Sequence, residues 1–144
     1  MLTQDNYVKA MQAYFGLFGV TLATNPDYFW GAKSVFKFPY FAATIGSATT
    51  ASGFFARFFG IALILVVLGS VRFGVSDRSF SKQATGFHVL TTKIIYDVAN
   101  VVGTKKAPSP FVAQTWKVQL LVNIALAAWG VKVAGGVQKL IKAD

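Results

Sequence analysis

The sequence predicts an all-α integral membrane protein with three to four transmembrane helices, short loops, and one amphipathic helix that is either spanning or interfacial. Three observations carry this. Hydrophobic residues make up 54% of the 144 residues and charged residues 13%, about half the charged share of an ordinary soluble domain. The mean hydropathy is +0.52. The apolar residues also come in runs flanked by single basic residues. That spacing lets each Lys or Arg lie along its own helix and reach headgroup depth. The chain therefore reads as a single helical membrane domain over 1–144.

The first span is expected over about 6–24. Its apolar run AMQAYFGLFGVTLAT follows Lys9 and stops at Asn25-Pro26, because the residue before a proline is disfavoured in a helix. Residues 25–41, NPDYFWGAKSVFKFPYF, then hold seven aromatic rings, two lysines and two prolines. Tyr28, Trp30 and Tyr40 with Lys33 and Lys37 read as an aromatic belt facing lipid headgroups. The same rings would also suit a lipid, quinone or pigment, since flat apolar ligands pack on rings.

The second span, about 53–74, is the strongest. Fourteen uncharged residues separate Arg57 from Arg72, about 21 Å of helix. Arginines reaching outward bring that near the hydrocarbon thickness of about 30 Å. VSDRSFSKQ follows as a polar turn in which Ser76 or Asp77 can cap a helix.

The third segment, 82–102, is mixed. Phe87, Leu90, Ile94, Val98 and Val101 recur at helical spacing, with Lys93, Asp97 and Asn100 on another side. It either lies in the interface or spans with its polar stripe turned toward protein. GTKKAPSP is a break. The last span is expected over 112–138, with Lys117 and Lys132 bracketing fourteen residues and Trp116 and Trp129 near headgroup depth. The basic residues divide seven against six between the two ends of a four-span topology, so they do not orient it. The first residues show neither a basic n-region nor the Arg- and Ser-rich character of a transit peptide.

Several chemistries are excluded by composition. There is no cysteine and no glutamate, so disulfides, thiolate chemistry and cysteine metal sites are out. The net charge is +9, but the cations are scattered along apolar runs, which does not suit a phosphate-tracking groove. No nucleic-acid partner is expected. Five scattered aspartates and one histidine give no triad and no carboxylate pair. No enzyme is expected, and no protein-held metal.

The remaining candidates are structural. Gly16 and Gly19 on the first span, Ala56 and Gly60 on the second, and Gln119, Asn123, Ala127 and Gly130 on the last form stripes of small or amide residues, suited to close helix packing in lipid. His88 is the one conceivable axial ligand for haem or chlorophyll, though neither is expected. A structural phospholipid fits better. Lys93 and Asp97 are four apart and can pair. If their helix spans, such a pair invites a role in proton or ion movement.

These features together suggest a non-catalytic accessory subunit of a large energy-converting membrane complex of respiratory type. It would work through helix packing and lipid contacts, with other membrane subunits as partners. The mitochondrial inner membrane is the expected site, and a thylakoid complex, with pigment near the chain, is the alternative. A small autonomous transporter or channel is the rival reading.

Overall fold

The computed structural model describes residues 2–36, 38–104, 106 and 108–141, and it is all-helical. Four long helices carry it: α1 (Gln4–Thr24), α3 (Ala51–Val71), α4 (Asp77–Ala99) and α5 (Ala113–Val133). Two short ones, α2 (Pro26–Phe29) and α6 (Val137–Ile141), complete it. One isolated bridge pairs Phe41 with Phe111.

Local chemistry sets the ends. The hydroxyls of Thr3, Thr50 and Ser76 accept from the backbone N–H of Asn6, Gly53 and Ser79, capping α1, α3 and α4. The Ser76 cap starts α4 at Asp77, five residues before the expected start at 82. DRSFSK is therefore a polar first turn of helix rather than a loop. At the other end, Gly74 (φ +76°) terminates the turn after α3. Gly135 and Gly136 (φ +78° and +108°) stop α5 at Val133, where the sequence suggested one helix running to 138. The N–H of Gly136 bonds back to the carbonyl of Val131 at 3.0 Å, a closure that needs left-handed backbone.

The long helices run up-down-up-down. In the α1–α3 pair, Gln12 reaches Ser70 while Gly19 meets Gly60. In the α4–α5 pair, Thr85 lies at Gly130 and His88 at Asn123. Both pairs are antiparallel. α1 also touches α4 and α5, whereas α3 barely meets α4. The bundle is thus two close pairs joined through α1.

The α1–α3 contact is backbone on backbone. A Cβ on Gly19 would stand 3.0 Å from the carbonyl oxygen of Gly60, and one on Gly60 would stand 2.7 Å from that of Gly19. Only glycine permits this approach.

Apolar side chains largely face outward. Only Gly53, Gly60 and Leu63 of the 21 residues of α3 are buried, while Phe54, Phe55, Phe58 and Phe59 are exposed. The buried residues of α5 are Thr115, Gln119, Asn123 and Gly130, and its Val118, Leu121 and Ile124 point out. On α4, Leu90 and Ile94 are 77% and 63% exposed. The inward face of α4 carries Phe80, Ser81, Ala84, Thr85, His88, Ile95 and Ala99. Among the described helices, α3 is long and apolar enough to cross a membrane.

Candidate functional site

Polar groups that a helix surface would normally show to water are turned into this bundle, and they meet in layers. Near the N-terminal end, the Thr85 hydroxyl donates to the Ser81 carbonyl at 2.7 Å, leaving its oxygen to the Tyr7 hydroxyl 3.1 Å away. Tyr7 is also held edge-on by Trp129, ring centroids 5.4 Å apart. At mid-height, Asn123 Nδ2 donates to the His88 carbonyl and to Thr92 Oγ1, both at 2.8 Å. That fixes the amide, so Asn123 Oδ1 must accept from His88 Nδ1 at 2.7 Å. His88 is therefore the Nδ1–H tautomer. Its Nε2 is buried without a hydrogen-bond partner, and the Phe15 ring is stacked on the imidazole at 5.7 Å.

The third layer ties the bundle to the loop above it. Tyr40 donates to Gln119 Oε1 at 2.9 Å, and Gln119 Nε2 donates to the Tyr14 hydroxyl at 2.5 Å. Burial pushes the Tyr40 hydroxyl above its ordinary range, so it remains a donor at neutral pH. Trp116 Nε1 donates to the Tyr40 carbonyl at 2.8 Å. The Val112 N–H bonds that same carbonyl, and the Ala42 N–H bonds the Pro110 carbonyl. The ring-rich loop after α1 is thereby stitched to the segment that leads into α5.

A second fastening holds the far part of this loop. Asp27 accepts from the backbone N–H of Ile45 at 2.5 Å and of Gly46 at 3.0 Å. Arg57 Nη1 donates to the carbonyls of Gly46 and Gly53. Nothing in the sequence marked Asp27. A carboxylate at the first turn after a proline, with glycine nineteen residues on, is too common a pattern to single out.

Below the stitched loop lies a cavity of about 600 Å³. It sits among α1, α3, α4 and α5, and its wall is almost wholly apolar, built largely of rings. Trp30 and Phe41 roof it, Phe15 and Phe87 wall it, and Tyr14 and Gln119 supply polar groups. Its lining includes residues that are also exposed, Phe55 and Ile94 on α3 and α4 and Ala43, Thr44 and Pro110 in the loops. The space exists because α3 packs on α1 and α4 packs on α5.

The aromatic loop is divided in two. Tyr28, Phe36 and Phe38 are exposed, and Lys33 is exposed beside them. Trp30 is only 5% exposed, and Tyr40 is half-buried. These inward rings stack as a roof, with Trp30 and Tyr40 centroids 4.4 Å apart and Phe18 edge-on to Trp30 at 4.5 Å. Lys37 lies outside the described residues. Trp116 and Trp129, read as headgroup anchors, instead turn partly inward, onto Tyr40 and Tyr7 respectively.

The packing residues separate as well. Gly19 and Gly60 form the α1–α3 crossing, and Gly130 leaves room for Thr85 and Tyr7. Ala56 is a half-buried part of the cavity wall, and Ala127 is half-buried on α5. A Cβ on Gly16 would meet nothing within 4 Å. Lys93 and Asp97 form an exposed pair on the outer surface of α4, Nζ to Oδ1 2.6 Å. They do not turn toward the protein interior. Among the described residues, no three His or Asp side chains converge as a metal site. Comparison with protein-family models, with characterised proteins and with solved structures finds no match.

Proposed function

We propose that the chain is a four-span membrane protein acting as a non-catalytic subunit of a larger membrane assembly. The observation that carries the embedding is that several polar side chains are buried beside an apolar core while large apolar side chains cover the outside. Asn123, Gln119, His88 and Thr85 are buried while Phe58, Leu65, Leu90 and Leu121 are exposed. Exposed apolar surface on this scale is costly in water, and interhelical hydrogen bonds between buried amides suit a lipid surround. The long helices have 21, 21, 23 and 21 residues, about 32–35 Å each, which matches a hydrocarbon layer of about 30 Å; among the described helices only α3 is also apolar enough by composition.

The subunit role rests on an outward notch. Ala13 is exposed, and Gly16, one turn on, has open space where a Cβ would stand. Small residues facing away from the bundle favour the close approach of another helix. The cavity and the ring-lined loop give lipid a place to bind. An energy-converting complex of the mitochondrial inner membrane remains the setting we favour, with the thylakoid as the alternative. A transport path along Lys93 and Asp97 gains no support from a pair on the outer face of α4.

The test is a native gel of mildly solubilised source membranes, with mass spectrometry of each band. Co-migration with a large assembly is expected, and Gly16→Leu should release the chain from it. Migration of the unaltered chain alone would remove the subunit reading.

A further inference from the structure

Tyr14, Tyr40 and Gln119 together carry four polar side-chain protons, one on each hydroxyl and two on the amide. Two are used within the cluster, in the bonds from Tyr40 to Gln119 and from Gln119 to Tyr14. The Tyr14 hydroxyl proton and the second Gln119 N–H have no acceptor among the described residues. Reversing the Gln119 amide would move the spare hydroxyl proton to Tyr40, which does not line the cavity, whereas a spare Gln119 N–H is present in both orientations. Both Tyr14 and Gln119 line the cavity. The buried, unpartnered His88 Nε2 lies on the ring packed against Tyr14 but makes no hydrogen bond with it, so these donors are costly unless something else accepts from them.

We propose that this cavity binds a flat, lipophilic molecule bearing a carbonyl oxygen, of the quinone class, whose oxygen accepts from Tyr14 and Gln119. A carbonyl oxygen has two lone pairs, matching two donors. The ring of such a molecule packs on Phe15, Phe87 and Trp30, and its tail runs out past exposed lining residues such as Phe55 and Ile94. The cavity volume of about 600 Å³ lies within the usual range for small-ligand sites. A bare acyl tail brings no acceptor, and a sterol hydroxyl, though its oxygen can accept, adds a proton that needs an acceptor of its own. The inference goes beyond the subunit reading and stands whether or not the chain has a partner, because it concerns the isolated bundle.

Two of the three tryptophans, Trp30 and Trp116, line the cavity and Trp129 does not. Fluorescence therefore reads the site directly. The full chain carrying Trp129→Phe, in phosphatidylcholine nanodiscs, is titrated with decylubiquinone. Saturable quenching at one quinone per chain is expected. The chain carrying Trp30→Phe and Trp116→Phe should show only the linear, unsaturable part. Gln119→Leu should weaken binding tenfold or more. If that variant loses its helical circular dichroism, Ala56→Phe decides instead, since it fills the cavity from α3 without touching the polar cluster and should abolish the saturable phase. The proposal is overturned by the absence of a saturable phase, or by its survival in a folded Ala56→Phe chain. It is also overturned if phosphatidylcholine with brominated acyl chains quenches Trp30 and Trp116 and decylubiquinone does not relieve that quenching, because an acyl tail then owns the cavity.

Discussion

The two helix pairs hold together by different means. α1 and α3 meet through Gly19 and Gly60, backbone against backbone, with Gln12 to Ser70 as a single side-chain bond at 3.0 Å. α4 and α5 meet through His88, Thr92 and Asn123, with Thr85 seated at Gly130. The first pair relies on close approach and the second on hydrogen bonds. A helix as apolar as α3 has few polar groups to share, so shape must hold it. α5 contributes amides, so its contact is directional. If the bundle stands in lipid as proposed, burying a leucine stabilises little, and these are the two remaining devices.

The comparison can be broken most severely at Gly60. Gly60→Leu puts side-chain atoms where the carbonyl of Gly19 and the backbone of Leu22 already stand. Backbone cannot move aside as a side chain can, so a loss of about 3 kcal/mol or more is expected. It should appear as separation of α1 from α3 in thermal or denaturant unfolding followed by circular dichroism. Asn123→Leu comes next. It removes the bonds to His88 and Thr92 and leaves the His88 Nδ1–H buried without an acceptor. A loss of about 2 kcal/mol is expected, read in the same unfolding assay. Asn123→Leu combined with His88→Leu should recover part of it, because the orphaned donor is then gone.

Gln12→Ala removes one interhelical bond from the pair held by shape. The expected cost is about 0.6 kcal/mol. A cost equal to that of Asn123→Leu would erase the distinction between the pairs. Smallest is Asp97→Asn, which breaks an exposed pair with Lys93 on the outside of α4. A change within about 0.5 kcal/mol is expected, with no change of ion flux in reconstituted vesicles. A clear change in flux would return the pair to the list of functional groups.

Much of this architecture was legible in the sequence. The three apolar segments and the mixed fourth, the stop at Pro26 and the break after Val102 follow from local chemistry that needs no tertiary information; Ser76 is one of two caps that the sequence offers, but the helix it starts is expected there only from 82. Gly19, Gly60 and Gly130 stand out for the same reason, since small residues at helical spacing have few other uses. The inward face of α4 was not legible. Periodicity shows that Phe87, Leu90 and Ile94 share a side, but it does not say which way that side points. The structure turns Leu90 and Ile94 outward and packs Thr85 and His88. The expected length of α5 failed at Gly135 and Gly136, whose left-handed backbone ends the helix before the apolar pattern fades. The division of the aromatic loop was beyond reach as well. Trp30 and Tyr28 look alike in sequence, and only the long-range bonds of Tyr40 to Gln119 and Val112 decide which rings become a roof. The Asp27 clamp on Ile45 and Gly46 is nonlocal in the same way.

The central claim is that all four long helices stand in lipid with their polar groups turned inward. The chain has no cysteine, so single cysteines can be placed freely at Leu17, Phe58, Leu90 and Leu121, one exposed apolar position on each long helix. Spin labels at these sites, in nanodiscs, are measured for collision with oxygen and with a water-soluble nickel chelate. High oxygen and low nickel accessibility at all four sites is the predicted result. High nickel accessibility at Leu90 or Leu121 would put α4 or α5 in water, contradicting the account.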